Sequence, residues 1–348
     1  MLRKITSLTA GKSNKQHAKP LNLASSKKRT MSKNTQKASV TTLESKRKSK
    51  SRISNIEAKP STAKKKKASS KGRPYTIDYL EVDGLKLRYL LREGTDGKTP
   101  LLLINGIGAN LELCIPFIET LHEKEVIIFD IPGTGGSEDP IKVRRFKGIA
   151  KLANTLLDRL GYGQVDVAGV SWGGALAQQF AHQYPKRTRR LILAATTAGM
   201  VMVPAKLNVL YNMITPKRYI SKTFMRKVAG KIYGGRIRRN PDLVHELSAK
   251  IIPPRARGYV YQLLAGLGWT SFHWLHTVEQ PTMILAGGDD PLVRPVNAKI
   301  MSLLIPNCKL EIIPGGGHLF LLHNAKAVTP MIREFLNKPD INLDELEE

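Results

Sequence analysis

Residues 165–185, VDVAGVSWGGALAQQFAHQYP, decide the fold. The first five residues are mostly apolar and predict a buried strand, and the second half has the apolar spacing of a helix. Between them, Gly169-Val170-Ser171-Trp172-Gly173 matches the Gly-x-Ser-x-Gly turn that links a strand to a helix and exposes its serine at the carboxyl edge of a sheet. A chance match in a loop would lack the flanking strand and helix. The stretch therefore predicts a nucleophilic serine in strained backbone.

Similar short apolar runs recur on both sides of this turn and alternate with helical stretches. They are LLLI (101–104), VIIF (126–129), LILAA (191–195), TMILAG (282–287) and LEII (310–313). Continuous Val, Ile and Leu strands separated by helices predict a mostly parallel α/β sheet with helices on both faces. Upstream, IDYLEVDGLKLRYLL (77–91) alternates and turns at Asp83-Gly84, which predicts a hairpin.

The strand pattern also divides the chain into domains. Residues 75–199 and 277–338 carry it and form the predicted sheet domain. Residues 200–276 lack strands and are rich in Tyr, Trp, Met and Arg, so we expect a helical cap inserted into that domain. Residues 339–348 form an acidic C-terminal tail.

The first 74 residues differ in composition from the rest. They hold 22 Lys or Arg and two acidic residues, whereas the remainder holds 34 basic and 26 acidic residues, and the whole chain has a net charge of +28. With few large apolar side chains, this tail is expected to be disordered. Its charge suits non-specific contact with nucleic acid phosphates. The alternative is a solubilising arm, or one that folds back on the acidic C-terminus, and Met31 is a possible second start.

Cysteine usage and hydropathy exclude several classes of protein. The two cysteines, Cys114 and Cys308, have neither a metal-ligand spacing nor the number needed for a disulfide framework, which favours a cytoplasmic protein. No apolar run approaches the roughly 18 residues that span a bilayer. The N-terminus lacks the apolar segment of a secretory signal, although a transit peptide stays open.

A serine nucleophile needs a base and an orienting carboxylate, in the chain order Ser, acid, His for this topology. His318, in PGGGHLF, follows the last predicted strand and is the expected base. Asp289 and Asp290 both follow the strand TMILAG. We favour Asp290, because the residue before Pro291 is held extended, and assign Asp289 to a turn or helix cap. No metal or organic cofactor is expected.

The oxyanion hole requires two backbone N–H donors. We assign them to Trp172, directly after the nucleophile, and to Ile107 in the glycine-rich loop NGIGAN (105–110). Asn105 is expected to brace that loop beside the substrate. Asp130, in FDIPGTGGS, precedes Ser171 and is assigned to holding the following turn.

Aromatic residues of the predicted cap form a further candidate site. Trp269, Phe272 and Trp274, in GLGWTSFHWLH, either line an apolar substrate entrance or form the core of the cap.

Together, NGIGANLEL, FDIPGTGGS, GVSWGGALAQQFAHQYP, LAATTAGMVMVP, AGLGWTSFHWLH, LAGGDDPL and GGGHLFL resemble the bacterial intracellular depolymerases of medium-chain-length poly(3-hydroxyalkanoates), over residues 75–336. The resemblance implies the α/β-hydrolase fold and ester hydrolysis at the surface of cytoplasmic polyester granules. It places nucleophile, acid and base on Ser171, Asp290 and His318. The chain departs from the family at Gly288, where the family has Asp, and in its basic tail.

The sequence thus predicts a serine hydrolase that cleaves polyester through an acyl-enzyme on Ser171. The alternatives are a hydrolase of small esters, lactones or C–C bonds, a cofactor-free perhydrolase, or a nucleic-acid-binding or granule-tethering protein.

Overall fold

One sheet positions the loops that carry Ser171, Asp290 and His318. The computed structural model describes residues 74–215, 217–244 and 251–339. Within them the eight strands are β1 (Thr76–Val82), β2 (Leu85–Arg92), β3 (Leu101–Ile104), β4 (Val126–Phe129), β5 (Val165–Val170), β6 (Thr188–Ala194), β7 (Thr282–Gly287) and β8 (Cys308–Ile313). Their order across the sheet is β1-β2-β4-β3-β5-β6-β7-β8.

The pairing of the strands confirms the predicted architecture. β1 and β2 form the expected antiparallel hairpin, with Val82 opposite Leu85 and positive φ angles of 49° at Asp83 and 72° at Gly84. That conformation suits a two-residue turn whose twist matches the strands. β2 also pairs antiparallel with β4, and all later pairs are parallel.

The helices follow the strands in the order expected of a parallel sheet. They are α1 (Ile115–Thr120), α2 (Phe146–Arg159), α3 (Trp172–Gln183), α4 (Leu207–Ile214), α5 (Lys217–Ile220), α6 (Lys222–Tyr233), α7 (Gly235–Arg239), α8 (Ala256–Gly266), α9 (Pro295–Leu304), α10 (Phe320–His323) and α11 (Ala325–Asn337). Short 3-10 turns cover Leu111–Cys114, Pro185–Arg187 and Leu275–Thr277. No helix among the described residues has both the length and the apolar character that crossing a membrane requires.

Two apolar layers enclose the sheet. Successive residues of β3 alternate between them: Leu102 and Ile104 pack with α2, α3 and α9, whereas Leu101 and Leu103 pack with α1, α10 and α11. This alternation is the period of two of a strand, and burial of both faces explains why the strands are apolar throughout. The predicted α/β fold with helices on both faces is confirmed.

Helices α4 to α8 lie between β6 and β7, in the segment that we predicted to be an inserted cap. One isolated bridge, Gly199 to Thr270, joins the two ends of this segment. The division into sheet domain, cap and tails stays a prediction. Residues 1–73 and 340–348, which carry almost all of the two predicted tails, lie outside the described residues.

Candidate active site

Ser171 lies in the tight turn between β5 and α3. Its φ of 55° and ψ of −120° are rare for a residue with a side chain and indicate local strain. The N–H of Ser171 donates to the carbonyl oxygen of Ala194 on β6, at 2.8 Å, which fixes the turn to the sheet. A Cβ atom at Gly173 would lie 2.3 Å from the carbonyl oxygen of Asn105, so only glycine fits there.

The structure brings Ser171, His318 and Asp290 together. Nε2 of His318 is 3.0 Å from Oγ of Ser171, and Nδ1 of His318 is 2.8 Å from Oδ2 of Asp290. The side chain of His318 is 4% exposed and that of Asp290 is fully buried. The second carboxylate oxygen of Asp290 accepts the backbone N–H groups of Leu292 and Val293, each at 2.9 Å. These bonds aim the carboxylate at the imidazole.

Asp289, the alternative acid, has other partners. Its Oδ2 accepts the N–H of Gly235 at 2.8 Å, and its Oδ1 is 2.6 Å from the guanidinium of Arg238. Both partners belong to α7. The carboxylate of Asp289 therefore connects the loop after β7 to α7, as expected of a turn or cap residue.

Tyr233 positions the loop that carries His318, a role that the sequence analysis missed. The N–H of His318 donates to the carbonyl oxygen of Tyr233 at 2.7 Å, and the two rings are nearly parallel with centroids 6.4 Å apart. A Cβ at Gly317 would lie 2.2 Å from that same oxygen. The glycine-rich string around His318 and the Gly234-Gly235 pair after α6 are the sequence signals of this close approach.

The two residues chosen as oxyanion donors lie on the two segments that flank the cavity at Ser171. Ile107 lines the same cavity as Ser171, and Trp172 is the first residue of α3. The loop around Ile107 is braced as expected, since Asn105 Nδ2 donates to the carbonyl oxygen of Asn110 and Asn105 Oδ1 accepts the N–H of Gly106, both at 2.9 Å. Asn105 also lines the cavity.

Gln262 on α8 connects these two segments and was also missed by the sequence analysis. Its Oε1 accepts the N–H of Gly108 at 2.7 Å, and its backbone carbonyl accepts the indole N–H of Trp172 at 3.0 Å. Gln262 is almost completely buried. A lone glutamine in a helix gives no sequence signal for such a role.

A cavity of about 210 Å³ opens beside Ser171 and His318. Apart from the loop at 105–109, its lining is mainly apolar and comes from separate parts of the chain. It includes Leu113, Cys114, Phe117, Val170, Met213, Met225, Val244, Ile251, Leu319, Leu321 and Leu322. Such a surface suits an aliphatic group attached to the reacting carbonyl.

The three aromatic residues of GLGWTSFHWLH do not line this cavity in the described part of the chain. Trp269 packs against Phe146 and donates its indole N–H to Gln179 at 2.9 Å, and both Trp269 and Trp274 contact the apolar core of the sheet. Phe272 is 40% exposed. The two tryptophans therefore contact the core of the sheet domain and not the separate apolar cluster of the cap, and a role at a substrate entrance stays a prediction.

Asp130 holds a turn, as its position before Ser171 suggested. Its carboxylate accepts the N–H groups of Gly136 at 2.9 Å and Leu111 at 2.8 Å and pairs with Arg88 at 3.2 Å. Burial raises the pKa of this carboxyl, while these contacts act in the opposite direction. The prediction for Asp130 is confirmed. No group of His, Cys, Asp and Glu suited to a metal ion occurs among the described residues.

Comparison with known proteins agrees with this architecture. A family model described as alpha/beta hydrolase fold matches residues 99–325. A poly(3-hydroxyalkanoate) depolymerase of Ectopseudomonas oleovorans is 52% identical over 267 residues, which cover 76% of this chain and 94% of that protein. The enol-lactonase from Burkholderia xenovorans LB400 superposes with a TM-score of 0.65 at 19% identity, over 75% of this chain and all of that one. A thermophilic esterase from Thermogutta terrifontis gives 0.63 at 25% identity, over 75% and 97%.

Fold and family match together define the class of the protein as an α/β hydrolase. Within this class, the chain belongs to the family of the poly(3-hydroxyalkanoate) depolymerases, which confirms the resemblance found in its sequence. It is accordingly a carboxylic ester hydrolase.

The buried thiol of Cys114 gives a test of the cavity environment. Burial raises the pKa of Cys114 from 9.0 to about 12, so the reactive thiolate is scarce at pH 8 although the residue lines the cavity. We expect iodoacetamide at pH 8 to leave Cys114 unmodified in the native protein and to alkylate it after denaturation, as followed by mass spectrometry. Rapid alkylation of Cys114 in the native protein, with loss of ester hydrolysis, would contradict its burial and raised pKa.

Proposed function

We propose that the protein hydrolyses the ester bonds of a medium-chain-length poly(3-hydroxyalkanoate) through an acyl-enzyme on Ser171. The observation that carries the proposal is the chain of contacts from Ser171 through His318 to Asp290, at 3.0 and 2.8 Å, beside an apolar cavity. The relative that is 52% identical is a poly(3-hydroxyalkanoate) depolymerase, which supports the choice of polymer.

In the first half of the reaction, Oγ of Ser171 attacks the ester carbonyl carbon while Nε2 of His318 takes its proton. Asp290 holds the imidazole by its Nδ1–H and stabilises the imidazolium that forms. The backbone N–H groups of Ile107 and Trp172 are the proposed donors to the carbonyl oxygen as it becomes negative. When the ester C–O bond breaks, His318 returns the proton to the leaving alkoxide, which departs as a hydroxyl chain end.

In the second half, water attacks the acyl-enzyme. His318 takes a proton from the water, a second tetrahedral intermediate forms, and its collapse breaks the bond to Ser171 and returns the proton to Oγ. The released product is a 3-hydroxy acid or a shortened chain with a new carboxylate. Water and ester are the only reactants.

The cavity suggests how side-chain length is selected. Phe117, Val170 and Leu321 line both the cavity and a small void further inside the core. These three side chains therefore form its inner wall. Each methylene of the acyl group that is buried against such a wall contributes roughly 0.8 kcal/mol.

The surface near the cavity suits a water-insoluble substrate. Three apolar residues of α4 are largely exposed, namely Leu207 at 84%, Tyr211 at 73% and Ile214 at 56%. On the same helix, Met213 lines the cavity. We therefore propose that the enzyme works at the surface of polyester granules in the cytoplasm, with this part of α4 next to the polymer.

Replacing the nucleophile tests the mechanism. Ser171→Ala is expected to lower the turnover of nitrophenyl octanoate and of polyester granules by about 10⁶, as for a triad serine in a protease. Unchanged thermal unfolding serves as the control for folding. Retention of more than a few per cent of the activity would assign the nucleophile to another residue.

The two adjacent aspartates provide a matched pair. Asp290→Asn is expected to reduce kcat by about 10⁴, because an amide no longer stabilises the required imidazole tautomer. Asp289→Asn keeps the carbonyl oxygen for Gly235 and weakens the pairing with Arg238, so it should change kcat far less. Measured kcat values in the reverse order would make Asp289 the acid.

Acyl-chain selectivity tests the lining of the cavity. Values of kcat/KM for nitrophenyl esters should rise from acetate to octanoate, and Phe117→Leu should move the optimum to longer chains by opening the inner wall. Phe272→Leu, the matched control outside the cavity, should leave the profile unchanged. A flat or falling wild-type series would favour the alternative of a small-ester or lactone hydrolase.

A further inference from the structure

After the basic tail, positive charge is concentrated in one segment of the chain. Residues 200–239 contain ten Lys or Arg and no Asp or Glu. Residues 75–348 as a whole contain 34 basic and 26 acidic residues. The excess of basic over acidic residues is therefore ten in this one segment and only eight (34 minus 26) in residues 75–348 as a whole. The catalytic mechanism uses none of the ten cations.

Several of these cations line a groove that is separate from the catalytic cavity. The groove has a volume of about 640 Å³, and none of the described residues that line it also lines the cavity. Its basic residues are Lys206, Arg226, Lys227, Lys231, Arg238 and Arg294. Among the described residues that line it, Asp290 is the only acidic one, and its carboxylate is buried and bonded to His318.

Acidic neighbours neutralise only part of this charge. Arg226 pairs with Asp242 at 3.0 Å, and Arg238 pairs with Asp289 at 2.6 Å. In the described part of the chain, no carboxylate pairs with the exposed groove lysines Lys206, Lys227 and Lys231. Like charges that converge on a concave surface raise the local concentration of anions, and a bound polyanion relieves their repulsion.

We propose that this groove binds the phosphodiester backbone of a nucleic acid without sequence preference. Lysine ammonium groups bind phosphates as point charges, and each neutralised phosphate releases counterions that drive binding. The described lining contains no aromatic side chain on which a base could stack, and its remaining surface is mostly Val209, Gly230 and prolines. Contact is thus restricted to the backbone.

The shape of the site favours nucleic acid over an anionic lipid surface. A groove admits a ridge such as the backbone of a duplex, whereas a flat layer of headgroups meets only its rims. The proposal differs from the hypothesis that residues 1–74 contact nucleic acid, because every groove residue named above lies between positions 206 and 295.

The salt dependence of DNA binding separates the groove from the tail. Full-length protein would be titrated with a duplex of random sequence between about 50 and 200 mM salt. In the triple variant Lys206→Ala, Lys227→Ala and Lys231→Ala, the slope of log K against log salt should become shallower by about 2 to 3, since each phosphate contact contributes about 0.9. The tail is present in both proteins and contributes equally.

The control removes the same charge elsewhere. Lys147, Lys151 and Lys186 are exposed and do not line the groove, so their triple alanine variant should keep the wild-type slope. Both variants should hydrolyse nitrophenyl esters at the wild-type rate. Equal slopes for the two variants, or no salt-dependent DNA binding by the full chain, would overturn the proposal. So would loss of binding to anionic phospholipid vesicles in the groove variant with an unchanged DNA slope.

Discussion

The left-handed turn at Ser171 is the constraint on which the rest of the site depends. A residue with a side chain at φ 55° is held there at a cost of about 1 to 3 kcal/mol, which surrounding contacts must offset. Two such contacts are the bond from Ser171 N–H to Ala194, the last residue of β6, and the bond from the hydroxyl of Thr196, in the loop after β6, to the carbonyl oxygen of Ser171 at 2.7 Å. Close packing of Gly173 on the end of β3 then fixes α3 beside the loop of Ile107. The serine and the proposed oxyanion donors are therefore positioned by the same contacts.

The parallel sheet brings the other two residues to this turn. β7 and β8 end at the same edge as β5, so the loops that follow them place Asp290 and His318 near Ser171 although 147 residues separate the serine from the histidine. The sheet alone does not orient the histidine. Its backbone is bonded to Tyr233 at the end of α6, which makes the segment between β6 and β7 part of the support of the site. The ring of Tyr233, which is nearly parallel to that of His318, adds a second contact between α6 and the imidazole.

The difference between local patterns and contacts from distant segments explains which features the sequence predicts. The strands, the hairpin and the serine turn depend on local patterns, namely apolar runs, Asp83-Gly84 and the glycines around Ser171, and all are found where expected. The partner of His318 depends on whether Asp289 or Asp290 faces inward. Pro291, which follows Asp290, gave the only local signal for that choice. The cavity lining could not be predicted, because Phe117, Met213 and Leu322 are distant in sequence and each is an ordinary apolar residue. Trp269 and Trp274 were candidates for the substrate entrance because large aromatic side chains are common both in protein cores and in binding sites.

In the loop after β7, two adjacent residues face different sites: one faces the candidate catalytic histidine and the other faces the basic groove. Asp290 turns its carboxylate toward His318, while Asp289 turns toward Gly235 and toward Arg238, which lines the basic groove. Asp289 is consequently the carboxylate through which Gly235 and Arg238 of α7 are attached to the loop of the candidate acid. Because Asp290 and Pro291 also line that groove, an anion bound there lies close to the chain that orients the imidazole. Its effect on the site is limited by the bonds from Leu292 and Val293, which hold the Asp290 carboxylate from within its own loop. The orientation of the acid is therefore set mainly by backbone bonds within its own loop, and the charged side chains of the groove make none of them.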